Sequence, residues 1–181
     1  MINEIRPRLL FCLTGFMGSG KSTAGRLLGR QIGWPYTDLD KQITDSAGIT
    51  IPEIFSRMGE SEFRRIEHEQ LVRVVQKTVE AQKPRVVSLG GGTIAQPQNA
   101  ASLRENGAVL IWLHCPIEEL LLRCAQITDR PLFRDEESFR RLYEERLPTY
   151  QASHYRVESD NEPMRVVEQI LALGIFPKVT A

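Results

Sequence analysis

Nine consecutive residues, Gly15-Phe16-Met17-Gly18-Ser19-Gly20-Lys21-Ser22-Thr23, fit the spacing G-x-x-x-x-G-K-[ST], whose chemistry is to hold a chain of phosphates. Glycines there let backbone N–H groups face an anion with no β-carbon between. The helix that follows would add its unpaired N–H groups and the positive end of its dipole. Lys21 would reach the β- and γ-phosphates, the Ser22 hydroxyl would ligate Mg²⁺, and Thr23 would support the first helical turn.

Three further groups could serve a transfer of phosphate. A metal-associated aspartate is usual at the end of a central apolar strand, but Val86-Val87-Ser88-Leu89 runs into Gly90-Gly91-Gly92. Asp38 is then the candidate metal carboxylate, directly or through water, and Asp40 could receive a hydrogen bond from an acceptor hydroxyl. The alternative for this pair is to cap a helix starting near Lys41. The triple glycine is either a flexible loop or a stretch where a small ligand lies against backbone N–H groups. Arg64 and Glu67, three apart on one helix, are either a surface ion pair or a guanidinium held in a fixed direction.

These residues need elements to position them, and the chain alternates strand-like with helix-like segments, the pattern of a parallel sheet covered by helices on both faces. The apolar run from Leu9 to Leu13 precedes the phosphate loop, and Ala24, Leu27, Leu28 and Ile32 mark an amphipathic helix ending at Gly33. Further strands are expected near Pro35 to Leu39, Arg85 to Leu89, Ala108 to Leu113 and Tyr155 to Val157. Helices are expected up to Ala47, around Pro52, from Glu60 to about Gln82, from Ala100 to Glu105, from Pro116 to Cys124, from Glu136 to about Gln151 and from Pro163 to Leu173. The polar stretch from Gln126 to Glu136 lacks helical periodicity and reads as a mobile lid. In such sheets ligands bind beyond the carboxyl ends of the strands, where the loop, the aspartates and the triple glycine all fall.

Composition narrows the class. A chain of 181 residues suits a single domain with a substantial core, and equal totals of 23 basic and 23 acidic residues favour neither nucleic acid nor an anionic membrane as a partner. Apolar runs are strand-sized and the N-terminus carries no basic-then-apolar pattern, so a soluble cytoplasmic protein is expected. Cys12, Cys115 and Cys124 are odd in number and lack metal-ligand spacing, and His68, His114 and His154 are scattered. Packed thiols and structural or surface histidines are expected.

Taken together, the phosphate loop, Asp38-Leu39-Asp40, Phe63-Arg64-Arg65-Ile66-Glu67, Leu89-Gly90-Gly91-Gly92, Arg130-Pro131-Leu132 and Arg146-Leu147-Pro148-Thr149-Tyr150 resemble the shikimate kinase family. The match runs in order from about Leu9 to Leu173. It implies a three-layer α/β/α P-loop kinase of the nucleoside-monophosphate-kinase-like type, with a five-stranded parallel sheet in the order 2-3-1-4-5. One domain would span 1–181, with a substrate-binding region about 40–68 and a mobile lid about 126–136.

Carried over residue by residue, the resemblance implies an ATP and Mg²⁺ site at Gly18, Ser19, Gly20, Lys21, Ser22 and Thr23, with Asp38 as metal partner. It implies a shikimate site at Asp40, Arg64, Gly90, Gly91, Gly92 and Arg146. Arg64 and Arg146 would clamp the acid's carboxylate with charge-assisted forks, with Glu67 supporting Arg64. Arg130 would close over both donor and acceptor, Arg123 would stack on adenine, and Lys21, Asp40 and Arg130 would be the catalytic set. The implied partners are ATP and shikimate, with neither nucleic acid nor membrane, and the chain is expected to be a monomer. Ser159-Asp160-Asn161-Glu162-Pro163 is acidic where many family members are basic, and Thr149 replaces a bulky aliphatic residue. Two other readings are a kinase of another small polyol acid such as gluconate, and a catalytically silent nucleotide-binding module.

Overall fold

The computed structural model describes residues 8–125 and 135–177. Five strands, β1 (Leu10–Thr14), β2 (Tyr36–Asp38), β3 (Arg85–Ser88), β4 (Val109–His114) and β5 (Tyr155–Glu158), form one parallel sheet. Their order is β2-β3-β1-β4-β5, as the resemblance implies. β1 is central and buried along its whole length, with Phe11 in register with Val86 on one side and Val109 on the other.

Because successive side chains of a strand point to opposite faces, the apolar runs feed two cores. Phe11, Leu13, Val86, Val109 and Ile111 pack with Leu28 of α1 (Lys21–Ile32) and with Val167 and Ile170 of α7 (Pro163–Ala172). Leu10, Cys12, Val87 and Trp112 face the other way. There they meet Ile43 of α2 (Leu39–Ala47), Leu71 and Val75 of α3 (Ile51–Ala81), Leu103 of α4 (Pro97–Glu105), Leu120 of α5 (Ile117–Ala125) and Phe139 of α6 (Glu136–Gln151).

One boundary differs from expectation. The fourth helix begins at Pro97 rather than Ala100, since proline suits a first helical turn, and a 3₁₀ turn at Thr93–Ala95 precedes it. The helix expected from Glu60 follows the shorter piece expected around Pro52, which starts at a capping box of Thr50 and Glu53. Gly59, at φ 83 and ψ 172, breaks the two pieces apart, so the second can turn Arg64 toward the sheet. Cys12, Cys115 and Cys124 are buried and outside any disulfide. Among the described residues no helix is long and apolar enough to cross a membrane.

Candidate active site

The phosphate loop leaves the carboxyl end of β1 and enters α1 at Gly20, whose φ of 85 places it in the left-handed region that favours glycine. No side chain caps this helix and no acid lies in its first turn, so its N–H groups and dipole are available to an anion. The Lys21 ammonium bends over the loop and donates to the carbonyls of Gly15 at 2.9 Å and Phe16 at 2.8 Å. A cavity of about 630 Å³ opens here, lined by Gly18 to Thr23, Arg123 and the segment from Ser159 to Pro163. Arg123 ties its two walls together by donating to the carbonyls of Gly18 at 3.3 Å and Ser159 at 3.0 Å.

A second cavity, of about 330 Å³, is lined by Asp40, Arg64, Gly90, Gly91, Gly92 and Arg146, with Ile51, Pro52, Phe55 and Phe63 as an apolar wall. The two cavities share Met17, Asp40 and Gly91. A phosphate chain in one would therefore point at a molecule in the other across Asp40.

Arg64 donates to Glu67 at 2.8 Å, and Glu67 is fully buried. The other oxygen of Glu67 accepts from the Thr93 hydroxyl at 2.7 Å, and the Thr93 carbonyl accepts from the Asn99 amide at 3.1 Å. The guanidinium of Arg64 is thus held through a fixed chain rather than lying on the surface, and it stands 5.0 Å from the Phe63 ring centre. Arg146 reaches the same place from α6, only 9% exposed, with its guanidinium 5.8 Å from the Phe16 ring centre. Among the described residues no carboxylate forms an ion pair with it. Tyr150, also on α6, receives a hydrogen bond from Arg146 and donates to the Gly91 carbonyl.

The glycine run is a close approach in this structure. A β-carbon at Gly92 would lie 2.9 Å from an Arg64 nitrogen and 3.1 Å from an Arg146 nitrogen, and one at Gly90 would lie 2.9 Å from an Asp40 oxygen. Side-chain-free backbone is what lets both guanidinium groups and one carboxylate reach a single small space.

The metal candidates are linked through Tyr36 and Ser88. Asp38 caps α2 by accepting from the Lys41 N–H at 3.2 Å, and its other oxygen accepts from the Tyr36 hydroxyl at 3.1 Å. The same phenol also donates to Ser88 at 3.1 Å, and Ser88 donates to the Lys21 carbonyl at 2.8 Å, next to Ser22. Asp38 thus caps α2, the alternative reading of that residue. Hard oxygen donors of this kind fit Mg²⁺, which is usually held by one or two carboxylates together with substrate phosphates. No group of three or more His, Cys, Asp or Glu side chains that could hold a metal ion occurs among the described residues.

The residues singled out in the sequence thus gather at the two cavities, apart from Asp38, which lines neither, and Arg130, which lies with most of the 126–136 lid outside the described residues. Thr93, Asn99, Tyr150 and Tyr36 were not legible as site residues. Only the Pro-Tyr-Thr-Asp-Leu-Asp context hinted at Tyr36.

A parallel sheet of order 2-3-1-4-5 with this loop after its central strand defines a P-loop kinase, and the adjoining acidic and basic cavity makes it one for a small acceptor. The shikimate kinase family matches residues 17–173, and the chain belongs to that family. It is 38% identical over 161 residues to a shikimate kinase of Sulfurihydrogenibium sp., covering 88% of this chain and 93% of that one. The shikimate kinase of Acinetobacter baumannii, solved in complex with shikimate, superposes with a TM-score of 0.85 at 31% identity over 97% of both chains. A gluconokinase from Sinorhizobium meliloti, at 20% identity and a TM-score of 0.58 over 92% of both chains, shares the fold alone.

Proposed function

We propose that this chain transfers the γ-phosphoryl group of ATP to the 3-hydroxyl of shikimate, giving ADP and shikimate 3-phosphate on the route to chorismate and the aromatic amino acids. The observation that carries the reading is Arg146, a buried guanidinium with no carboxylate partner among the described residues, standing beside Arg64 over Gly92. Buried charges are normally paired, so this one calls for an anionic ligand. A cavity with two guanidinium groups, a carboxylate and an apolar wall suits a small ring acid bearing hydroxyls.

In the proposed reaction the loop N–H groups and Lys21 hold the β- and γ-phosphates, and Arg123 borders the nucleobase. Arg64 and Arg146 grip the acceptor's carboxylate, while the backbone of Gly90, Gly91 and Gly92 follows its ring. Asp40, at the boundary of the two cavities, orients the acceptor hydroxyl and receives its proton. Such a transfer depends mainly on in-line placement and on offsetting the spreading negative charge, which Lys21 and Arg130 would do. Mg²⁺, held through Ser22 and Asp38, would supply further charge neutralisation on the phosphates. We assign the chain a single kinase domain with an acceptor region about 40–68 and a lid about 126–136. It would act as a cytoplasmic monomer.

The test is a coupled assay of ADP release over shikimate, gluconate and other small polyol acids. Turnover stimulated by shikimate alone is expected. Stimulation by gluconate instead would overturn the acceptor, and nucleotide binding without acid-stimulated turnover would leave only a nucleotide-binding module.

A further inference from the structure

We propose that Tyr36 is a positioning residue for the metal side of the site, its hydroxyl holding the Asp38 carboxylate and, through Ser88, the first turn of α1 that carries Ser22 in the orientation that a phosphate-bound Mg²⁺ requires. The proposal rests on the reading of Ser22 and Asp38 as the metal donors, and goes beyond it by naming what aims them.

The hydrogen-bond inventory is directional. Ser88 donates its only hydroxyl proton to the Lys21 carbonyl at 2.8 Å, so toward Tyr36, 3.1 Å away, it can act only as acceptor. The phenolic proton is therefore shared between Ser88 and the charged Asp38 oxygen. Asp38 is held at both oxygens, one by Tyr36 and the other by the Lys41 N–H.

A second observation is independent of these bonds. The ring reaches this position by passing beneath α1 at two glycines one turn apart. A β-carbon at Gly25 would lie 2.6 Å from a Tyr36 ring carbon, and one at Gly29 would lie 3.1 Å from the Tyr36 β-carbon. The helix that carries Lys21 and Ser22 is thus cut away for this ring, and the Ser88 bond to the Lys21 carbonyl anchors the network to its first turn. Outer partners of metal-ligating groups orient them in this way.

The experiment is calorimetric titration of ADP into the full chain, with and without MgCl₂, for the wild type, Tyr36→Phe and Asp38→Asn. Phenylalanine fills the same slot, so the fold should persist. Metal-free ADP affinity is expected to match the wild type in Tyr36→Phe, whereas the tightening produced by Mg²⁺ should shrink by about tenfold. The Michaelis constant for shikimate should not move. Equal weakening with and without Mg²⁺ would assign Tyr36 to packing and overturn the proposal. A wild-type response to Mg²⁺ in Tyr36→Phe together with a lost response in Asp38→Asn would overturn it while leaving the metal reading intact. Should Asp38→Asn respond like the wild type, the metal reading itself would fall, and this proposal with it.

Discussion

Arg64 and Arg146, brought from α3 and α6, place their guanidinium groups against the same backbone residue, within about 3 Å of where a β-carbon of Gly92 would stand. Like charges meet there because Glu67 and Thr93 fix one of them and the Tyr150 hydroxyl engages the other.

That contact makes Gly92→Ala a probe of the acceptor site. Gly92 has φ −112 and ψ 0, a conformation open to alanine, so the backbone does not resist the change. The atoms nearest the new methyl are the far ends of the Arg64 and Arg146 side chains rather than backbone. Moving them spoils the clamp. The Michaelis constant for shikimate should rise roughly ten- to a hundredfold, the effect of disturbing one or two hydrogen bonds to charged groups, with that for ATP nearly unchanged. Steady-state kinetics check this; an equal loss for both substrates would contradict it.

Arg64 needs two variants. Arg64→Ala strands the fully buried Glu67 carboxylate and should cost about 3 kcal/mol of stability besides weakening the acceptor. Arg64→Lys keeps the charge beside Glu67 but loses the planar fork, so stability should be largely retained while shikimate binding still weakens. Denaturant titration alongside shikimate binding separates the two effects. A lysine variant that binds like the wild type would show that only charge matters at this position.

How far the sequence could be read depends on the kind of signal. The alternation of strands and helices follows from short apolar runs between amphipathic segments, and the phosphate loop is a contiguous motif, so these were legible, whereas the strand order came from the family resemblance. The Arg64 and Glu67 spacing was ambiguous in sequence because a surface pair has the same spacing; burial of Glu67 against Thr93 decides it. Tyr36, Ser88, Thr93 and Asn99 carry no local pattern. Their roles come from contacts between segments far apart in the chain, such as Tyr36 with Ser88, which periodicity does not encode. The 3₁₀ turn after the glycines was missed for a related reason, since no sequence period marks three residues tied to a helix packed beside them.

Stability should fall in alkali, in a direction set by buried acids. Burial pushes the Cys12 thiol from an ordinary 9.0 up to about 12, and chiefly burial carries Tyr150 from 10.0 to about 12. Above those ordinary values the unfolded chain releases protons that the folded chain retains. Their contribution is complete below pH 9 and is lost progressively as pH climbs toward 12. For Cys12 alone the loss between pH 9 and 10 should be about 1 kcal/mol. Urea midpoints measured across that interval should drop more steeply for the wild type than for Cys12→Ala. Parallel slopes would mean that Cys12 ionises as readily folded as unfolded.

Gly25 offers a test of the slot beneath α1 that does not depend on activity. In an exposed helix, glycine to alanine would stabilise by about 1 kcal/mol, because alanine loses less backbone freedom on folding. Here the added methyl would lie 2.6 Å from a Tyr36 ring carbon and 2.7 Å from the Ser88 hydroxyl. A ring wedged between helix and sheet cannot swing aside as a long flexible side chain can. Overpacking of this kind typically costs 1–3 kcal/mol, so Gly25→Ala should be net destabilising despite the better helix former. If the ring is the obstacle, the penalty should shrink by about 1 kcal/mol or more when Gly25→Ala is introduced into a Tyr36→Ala background. An unchanged penalty in that double-mutant cycle would show that Tyr36 is not what the glycine accommodates, and would leave Ser88 as the residue that requires the missing β-carbon.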